Sequence, residues 1–349
     1  MLGEVSVGKR TVAVAGTHGK TTTTGMLAKI LKDAGASPTA VIGSIVKDFG
    51  SNYLAGTSDI FVVEACEYKD HLLELSPQVL IITNLEWDHT DFFPSLEALQ
   101  GTFRKAIERV PESGIIVTDP TNPNIAPLLA HTKAKVADYM QMGRSDLPKG
   151  AYDLRLPGEF NQNNARAAAA AARAVLPSVQ HQVLNNSLRD FQGTWRRFEY
   201  KGKNENGADV YDDYAHHPTA VRETLRALRE KTKGGIIVAF HPHLYSRTKD
   251  LLDEFATAFA DADKVYVAPI YAAREVDDGS ISSEILAERI RATGVDALAL
   301  PLDAIQKELA DAKGTIITMG AGDIYKIADD LVAHTSVAAS ASSDSRPTK

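Results

Sequence analysis

The segment from Thr11 to Thr24 reads TVAVAGTHGKTTTT. Its first five residues are β-branched or apolar, two glycines follow at Gly16 and Gly19, and a helical pattern then runs from residue 23 to Leu31. A strand, a glycine-rich loop and a helix in this order are typical of a site that cradles phosphate groups. The glycines let the backbone approach an anion, and the backbone amides and the positive helix N-terminus point toward it. The segment therefore predicts an α/β domain that binds a nucleotide.

Two side chains of this loop fit the chemistry of a bound nucleotide. The ammonium of Lys20 can neutralise the β- and γ-phosphates, and the hydroxyl of Thr21 can ligate Mg²⁺. The strict phosphate-loop pattern fails, because Val14 stands where its first glycine belongs. An ordinary strand–turn–helix with a surface lysine is the alternative. The predicted phosphate-binding residues are Gly16, Thr17, His18, Gly19, Lys20, Thr21 and Thr22.

Length, charge and cysteine content argue against several classes of protein. The 349 residues suffice for two or three domains. A formal net charge of −7 without a long basic run argues against a nucleic-acid partner. The single cysteine, Cys66, allows no intramolecular disulfide and fits a reducing compartment. Residues 1–9 lack the apolar core of a signal peptide, and no apolar run approaches the ~20 residues of a membrane span. We therefore expect a cytoplasmic protein without a membrane partner.

Polar side chains follow two apolar runs, DIFVVEA and VLIIT. Glu64 lies at the end of the first run, and Asn84, Asp88, His89 and Asp91 follow the second. Because parallel strands present their carboxyl ends to one ligand crevice, we expect these groups to form a Mg²⁺ and phosphate site beside the loop. Taken singly, each has another explanation: a solvated strand end, a helix cap or a structural histidine.

Asn161 and Asn164 precede an alanine-rich helical pattern over residues 165–175. Helix capping is the simpler interpretation of asparagines at this position. Their amides also carry both a donor and an acceptor, which suits the edge of an adenine ring.

The alternation of strands and helices predicts two α/β domains. The first, residues 1–192, is a nucleotide-binding domain with a mostly parallel sheet, in which residues 47–57 form a loop and residues 151–156 a strand. The second, residues 193–334, is a smaller Rossmann-like domain. Residues 335–349 are rich in alanine and serine and predict a disordered tail.

The second domain carries its own polar residues after strands. A strand over residues 208–213 ends in paired aspartates and continues into Tyr214 and His217. The next strand leads into HPHLYSRT, which contains His243 and Arg247.

The order of these motifs resembles the Mur ligase family, and most closely its branch that joins L-alanine to UDP-N-acetylmuramate. The resemblance covers residues 9–331. The segments that carry it are AGTHGKTTTT, VVEACEY, ITNLEWDHTD, LPGEFNQNNARAA, RRFE, DDYAHHP, HPHLYSRT and MGAGDI. Each segment is short, but eight of them in the family's order are specific.

The resemblance implies an ADP-forming ligase of peptidoglycan synthesis, which uses ATP and Mg²⁺ to activate a carboxylate as an acyl phosphate. UDP-N-acetylmuramate and L-alanine are the implied substrates. The implied Mg²⁺ ligands are Thr21, Glu64 and His89. The implied ATP contacts beyond the phosphate loop are Asn84, Asn161, Asn164, Arg197 and Asp213. The residues implied to handle the amino acid and the reacting carboxylate are Tyr214, His217, His243 and Arg247. The implied catalytic residues are Lys20, Glu64, His89, Arg197, His217 and Arg247.

Two departures from the family concern substrate binding. Phe160 stands where the family usually has histidine, so one contact to adenine is lost or replaced by stacking. Family members also carry a domain before the phosphate loop that binds the UDP group, and we expect this chain to lack it. We therefore expect a separate polypeptide to supply that domain, or the chain alone to use UDP-N-acetylmuramate poorly.

Two other functions stay open. One is a different amide ligase of the superfamily, acting on a recycled muropeptide, a folate or a polyamino acid, although DDYAHHP favours the muramate branch. The other is a non-catalytic nucleotide-binding subunit. The presence of every predicted metal and phosphate residue argues against the second.

Overall fold

The computed structural model describes residues 2–142 and 151–333. It divides into two compact units, Met1–Trp195 and Arg196–Lys349. The division lies three residues beyond the predicted junction at Gly193. The predicted tail, residues 335–349, lies outside the described residues.

The first unit is built on a sheet with strand order β3-β2-β4-β1-β5-β6-β7. Its described strands are β1 (Arg10–Ala15), β2 (Thr39–Val46), β3 (Ser51–Leu54), β4 (Ile60–Glu64), β5 (Val79–Ile82), β6 (Ile115–Thr118) and β7 (Lys135–Asp138). Neighbouring strands run parallel except for β2 and β3. Its described α-helices are α1 (Leu2–Ser6), α2 (Lys20–Asp33), α3 (Leu96–Glu108), α4 (Glu159–Val175) and α5 (His181–Asp190). Short 3₁₀ turns span Tyr68–Glu74, Ala126–His131 and Tyr139–Gln141.

Strand β1 explains why both faces of this sheet are covered. Its residues alternate between two cores: Val12 and Val14 pack with Met26 of α2, whereas Ala13 and Ala15 pack with Phe103 of α3. A strand buried on both faces is typical of the centre of a parallel sheet. The carboxyl end of β1 is thereby fixed between helices of the two layers.

The second unit has strand order β12-β11-β10-β13-β9-β8. Its described strands are β8 (Glu199–Lys203), β9 (Asp209–Asp213), β10 (Ile236–His241), β11 (Lys264–Val267), β12 (Asp296–Ala299) and β13 (Thr315–Gly320). All pairings are parallel except β8 with β9. Its described α-helical elements are α6 (Pro218–Lys231), α7 (Tyr245–Asp250), α8 (Leu252–Ala258), α9 (Ser283–Ala292) and α10 (Leu302–Ala310). The predicted fold class, two mostly parallel α/β units, is confirmed.

Three local predictions were wrong. Residues 47–57 contain β3, whose polar sequence SNYL pairs antiparallel at the edge of the sheet. Residues 151–156 form no strand, because the Gln162 side chain takes both backbone hydrogen bonds of Tyr152, at 2.9 and 2.8 Å. Helix α4 begins at Glu159, so the asparagines lie inside it. In the described part of the chain, every helix is too short or too polar to span a bilayer.

Candidate functional site

In the first unit, three adjacent strands end at the phosphate loop. Strand β1 lies between β4 and β5 in the sheet, so Gly16, Glu64 and Thr83 follow or end neighbouring strands. Parallel strands direct their carboxyl ends to the same edge of the sheet, which brings the loop and the two polar segments together.

The two loop glycines are required by both backbone conformation and space. Gly16 and Gly19 have φ values of 123° and 82°. A Cβ at Gly16 would lie 2.2 Å from Thr83 Oγ1, and a Cβ at Gly19 would lie 2.2 Å from Asn164 Oδ1. Any side chain at either position would therefore be strained and would push the loop away from its neighbours.

Lys20 is the first residue of α2, and its ammonium turns back over the loop. Nζ donates to the carbonyl oxygens of Gly16 and Thr17, at 2.5 and 3.2 Å, and to Glu67 Oε1 at 3.0 Å. Burial acts to lower the pKa of Lys20, but Glu67, with smaller contributions from Cys66 and Glu64, more than offsets burial, so the pKa is raised. The ammonium is therefore held charged inside the loop.

Glu67 was not among the predicted site residues. Its side chain is 2% exposed. Its Oε1 lies 3.0 Å from Lys20 Nζ and 3.4 Å from His89 Nε2. Burial acts to raise the pKa of Glu67, but Lys20 and His89 outweigh it and lower the pKa. The second carboxylate of VVEACEY, three residues after Glu64, was the signal that could have identified it.

Of the three predicted metal ligands, Thr21 and Glu64 are in direct contact. Thr21 Oγ1 donates to Glu64 Oε1 at 2.9 Å, and Glu64 Oε2 accepts from the backbone of Gly43 at 2.6 Å. His89 instead faces Glu67. A hydroxyl and a carboxylate in contact are oxygen donors of the kind that Mg²⁺ prefers, so Thr21 and Glu64 fit such an ion.

Asn84 fastens the loop to β5. Its Oδ1 accepts from the His18 backbone N–H at 2.9 Å, and its Nδ2 donates to the His18 carbonyl at 3.1 Å. Its own carbonyl accepts from Thr17 N at 3.2 Å. The Asn84 amide, predicted to lie near the metal and phosphates, is thus used to fix the backbone that would bind them.

Other loop residues are fixed in the same way. The Thr17 hydroxyl exchanges hydrogen bonds with the backbone of Glu86, at 3.0 and 2.8 Å. His18 Nε2 lies 3.5 Å from Glu86 Oε2, and Thr22 is buried. Thr17 and His18 are therefore tied by hydrogen bonds to the segment after β5.

Asn164 connects α4 to α2, and Asn161 bonds the backbone just before α4; neither is the N-cap of α4. Gly158 occupies the N-cap position, so the capping interpretation was wrong. Asn161 Nδ2 donates to Pro157 O at 2.7 Å, and Asn164 Oδ1 accepts from Thr23 Oγ1 at 3.2 Å. Both side chains are buried. Their predicted contact with adenine stays a prediction.

In the second unit, β9, β13 and β10 are neighbours, and the buried carboxylate of Asp213 ends β9. It accepts from the backbone N–H groups of Phe198 and Ala215 at 2.6 and 2.7 Å. Burial raises the pKa of Asp213 to about 6, and Arg197 and the two N–H groups only partly oppose it. The Arg197 guanidinium lies 4.8 Å from the centre of the Tyr214 ring.

Of the adjacent arginines Arg196 and Arg197, Arg196 is the buried one, and it was not among the predicted site residues. Its Nε donates to Asp212 at 2.8 Å, and its Nη atoms donate to the carbonyls of Gly320 and Gly322 at 2.6 and 3.1 Å. It therefore joins the ends of β9 and β13, and its contacts are those of a structural residue.

The remaining predicted residues follow β9 and β10. His217 is the N-cap of α6, where Nδ1 accepts from Thr219 N at 3.3 Å. Arg247 is 1% exposed, and its Nη1 lies 3.1 Å from His243 Nδ1. The His243 ring stacks on Tyr271 at 5.6 Å. Arg247 thus places His243 through a short side-chain contact.

His241, the last residue of β10, was also missed. It is buried, its ring lies 5.6 Å from Tyr271, and its Nδ1 has no hydrogen-bond partner among the described residues. Burial lowers the pKa of His241, so its ring is held neutral.

Comparison with known proteins gives two family matches. Residues 14–151 match the Mur ligase middle domain, and residues 196–322 match the Mur ligase glutamate ligase domain. The chain is 38% identical over 345 residues to the UDP-N-acetylmuramate–L-alanine ligase of Acetivibrio thermocellus, covering 91% of this chain and 73% of that protein. It is 39% identical over 356 residues to the protein of the same name from Desulfitobacterium hafniense, covering 95% and 79%.

The chain is also similar to solved structures of ligases with related names. The chain resembles the UDP-N-acetylmuramate–alanine ligase MurC of Thermotoga maritima with a TM-score of 0.74 and 27% identity, covering 95% of this chain and 76% of that one. A murein peptide ligase from Psychrobacter arcticus matches with a TM-score of 0.66 and 25% identity, covering 93% and 77%.

Proposed function

Because the chain belongs to the Mur ligase family, we propose that it joins L-alanine to the carboxylate of UDP-N-acetylmuramate, with ATP as the energy source, in peptidoglycan synthesis. The curated relatives at 35–39% identity carry that activity in their names. The observation that carries the proposal is the phosphate loop: two glycines in left-handed conformations and the charged Lys20 ammonium turned over the loop carbonyls.

The reaction has two steps. An oxygen of the substrate carboxylate attacks the γ-phosphorus of ATP, which forms an acyl phosphate and releases ADP. The amine of L-alanine then attacks the acyl carbon, inorganic phosphate leaves with the electrons of the broken C–O bond, and the nitrogen loses a proton. Phosphoryl transfer depends on positioning and charge neutralisation, which the loop and Lys20 supply.

Thr21 and Glu64 are the residues proposed to hold Mg²⁺, since their oxygens lie 2.9 Å apart beside the loop. Such an ion would supply positive charge that offsets the negative charge of the phosphates. His89 is proposed as a further ligand, although its ring faces Glu67 in this structure.

The second unit is proposed to act on the amino acid. Tyr214, His217, His243 and Arg247 follow β9 and β10 at the carboxyl ends of parallel strands, where ligands of such sheets bind. A histidine there can take the proton of the amine, because its pKa lies near working pH. Arg197 and Asp213 are proposed to contact ATP.

The test is ADP release by the purified chain, measured with ATP, Mg²⁺, UDP-N-acetylmuramate and L-alanine together and with each omitted. We expect sustained release over many turnovers only when both substrates are present, and faster release with L-alanine than with glycine or D-alanine. ADP release driven by a muropeptide or a folate, and not by UDP-N-acetylmuramate, would overturn the proposed substrate.

Two finer expectations from the sequence stay predictions: a separate polypeptide that binds the UDP group, and a cytoplasmic location. Calorimetric titration of the chain with UDP-N-acetylmuramate tests the first. Tight stoichiometric binding without added protein would contradict it.

A further inference from the structure

Glu67 is a buried carboxylate that none of the predicted roles includes. It follows the end of β4 by three residues, and the whole residue is 1% exposed. Lys69 and Asp70, two and three residues further along the chain, have φ values of 53° and 59°. Residues other than glycine rarely adopt such values. Asp70 accepts a hydrogen bond from Thr102 of α3 at 2.5 Å, which anchors this bend. The chain is therefore held in a costly conformation that fixes Glu67 under the phosphate loop.

We propose that Glu67 is a positioning residue for the proposed phosphoryl transfer, and that it acts by fixing the Lys20 ammonium over the phosphate loop. The inference rests on the proposed function. In this role Glu67 orients Lys20 and does not contact ATP itself.

The contacts of Lys20 carry this assignment. Its Nζ has three acceptors, the carbonyls of Gly16 and Thr17 and the carboxylate of Glu67. The two carbonyls belong to the loop itself, so they move with it. Glu67 is the acceptor that comes from another strand end, and it carries the charge that compensates a buried ammonium.

The second oxygen of Glu67 distinguishes this arrangement from an ordinary buried ion pair. Oε2 is buried and has no hydrogen-bond partner among the described residues, while Oε1 faces both Lys20 and His89. A carboxylate retained only for stability would be expected to have both oxygens satisfied. Here Oε2 is left unpaired while Oε1 lies between the Lys20 ammonium and the His89 ring.

The experiment compares Glu67→Gln and Glu67→Asp with the matched control Glu74→Gln, which makes the same change at an exposed glutamate of the same segment. We expect Glu67→Gln to lower kcat for ADP release roughly 10- to 100-fold with a smaller change in KM for ATP, because misplacement of a catalytic group affects the transition state most. Glu67→Asp keeps the charge and should recover part of the loss. Glu74→Gln should leave kcat unchanged.

A double-mutant cycle separates positioning from a merely structural role. Both kcat for ADP release and the dissociation constant of a non-hydrolysable ATP analogue are measured for the wild type, Glu67→Gln, Lys20→Ala and the double variant. If Glu67 acts through Lys20, its substitution has no further effect once Lys20 is absent. Equal losses in both backgrounds, or an unchanged kcat in folded Glu67→Gln, would overturn the proposal.

Two further outcomes are assigned in advance. If Glu67→Gln does not fold, Glu67→Asp is carried through the same cycle. A rise in the Mg²⁺ concentration that gives half-maximal turnover, without an effect that depends on Lys20, would identify Glu67 as a metal ligand and overturn the positioning role. Binding of the analogue does not depend on the acceptor substrate, so the cycle still tests Glu67 if the proposed ligase activity fails.

Discussion

Each unit has a buried carboxylate near the end of a parallel strand, and the two behave in opposite ways. Glu67 of the first unit lies against the Lys20 ammonium and near His89, and its pKa is lowered. Asp213 of the second unit accepts two backbone N–H groups, and its pKa is raised to about 6. Both are almost fully buried, so burial does not explain the difference.

The nature of the partner decides it. At Glu67 the Lys20 ammonium and the contact with His89 together outweigh desolvation, whereas at Asp213 two backbone N–H groups and the Arg197 guanidinium do not. Asp212 shows how strong desolvation is in the second unit, because burial raises its pKa even though the Arg196 guanidinium lies 2.8 Å away. The first site therefore fixes a charge pair, and the second holds a carboxyl group that can change its protonation near neutral pH.

Lys20→Ala has the largest expected effect on turnover. It also removes the ammonium that makes the pKa of Glu67 differ from that of Asp213. Without the ammonium, Glu67 is a buried carboxylate like Asp213, and its pKa should rise. Turnover of ATP should fall roughly 10²–10³-fold, because a preorganised charge on the transferred phosphoryl group is lost. The measurement is steady-state ADP release at equal concentrations of folded protein.

The control is Lys32→Ala on the exposed part of the same helix, where Nζ lies 5.1 Å from the centre of the Phe49 ring. It should leave turnover within twofold of the wild type. Near-normal turnover in Lys20→Ala would rule out the assignment of the phosphate loop.

Substituting the two adjacent arginines of the second unit tests which one is structural. Arg196→Ala leaves Asp212 buried without its ion-pair partner and should cost about 3–5 kcal/mol of stability. Arg197→Ala removes a half-buried guanidinium from the Tyr214 ring and should change stability by less than ~1 kcal/mol while lowering turnover. Urea unfolding and ADP release on both variants separate the effects. A larger loss of stability in Arg197→Ala would reverse the assignment.

The sequence predicted the strand, glycine loop and helix at residues 11–24 well, because the constraints on this segment are local. Glycines at two positions, a lysine at the start of a helix and a preceding apolar run are all visible within fourteen residues, and the structure places them in one loop. The order of strands and helices was equally readable, since buried parallel strands appear as continuous apolar runs.

The sequence could not predict which polar residue is used for packing. Asn84 and Asn161 have the side chains of binding residues, yet their amides fix neighbouring backbone. Arg196 and Arg197 are identical in chemistry and adjacent in sequence, and only the fold decides that the first is buried. The carboxylate of Glu67 is visible in VVEACEY, but its contact with Lys20 depends on the turn after β4.

The pH dependence of stability sharpens the comparison further. The folded pKa of Asp213, about 6, lies above its ordinary value of 3.8, so the folded state binds this proton more tightly than the unfolded state. The contribution of Asp213 to the free energy of unfolding therefore falls as pH rises from about 4 to 6 and is constant above that range. The full effect is on the order of 2–3 kcal/mol.

The measurement is urea unfolding of the wild type and Asp213→Asn between pH 4 and pH 7. The stability of the wild type relative to the variant should increase as pH falls through 6. Asp209→Asn on the same strand is the matched control of opposite sign, because the Lys203 ammonium lowers the pKa of Asp209. If the difference in free energy of unfolding between the wild type and Asp213→Asn did not change with pH, the pKa of Asp213 would not be raised in the folded protein.

His217 has a small expected effect on stability, and substitutions there separate its structural role from its proposed chemical role. As the N-cap of α6 it accepts from Thr219 N, so His217→Ala should cost about 1 kcal/mol. Asparagine is a strong N-cap residue, so His217→Asn should restore this stability. Asparagine cannot take a proton from the attacking amine, however, and turnover in His217→Asn should stay low if His217 has the proposed role. Recovery of both stability and turnover in His217→Asn would show that His217 only caps the helix, and the amine proton would then have to pass to another group after β9 or β10, such as His243.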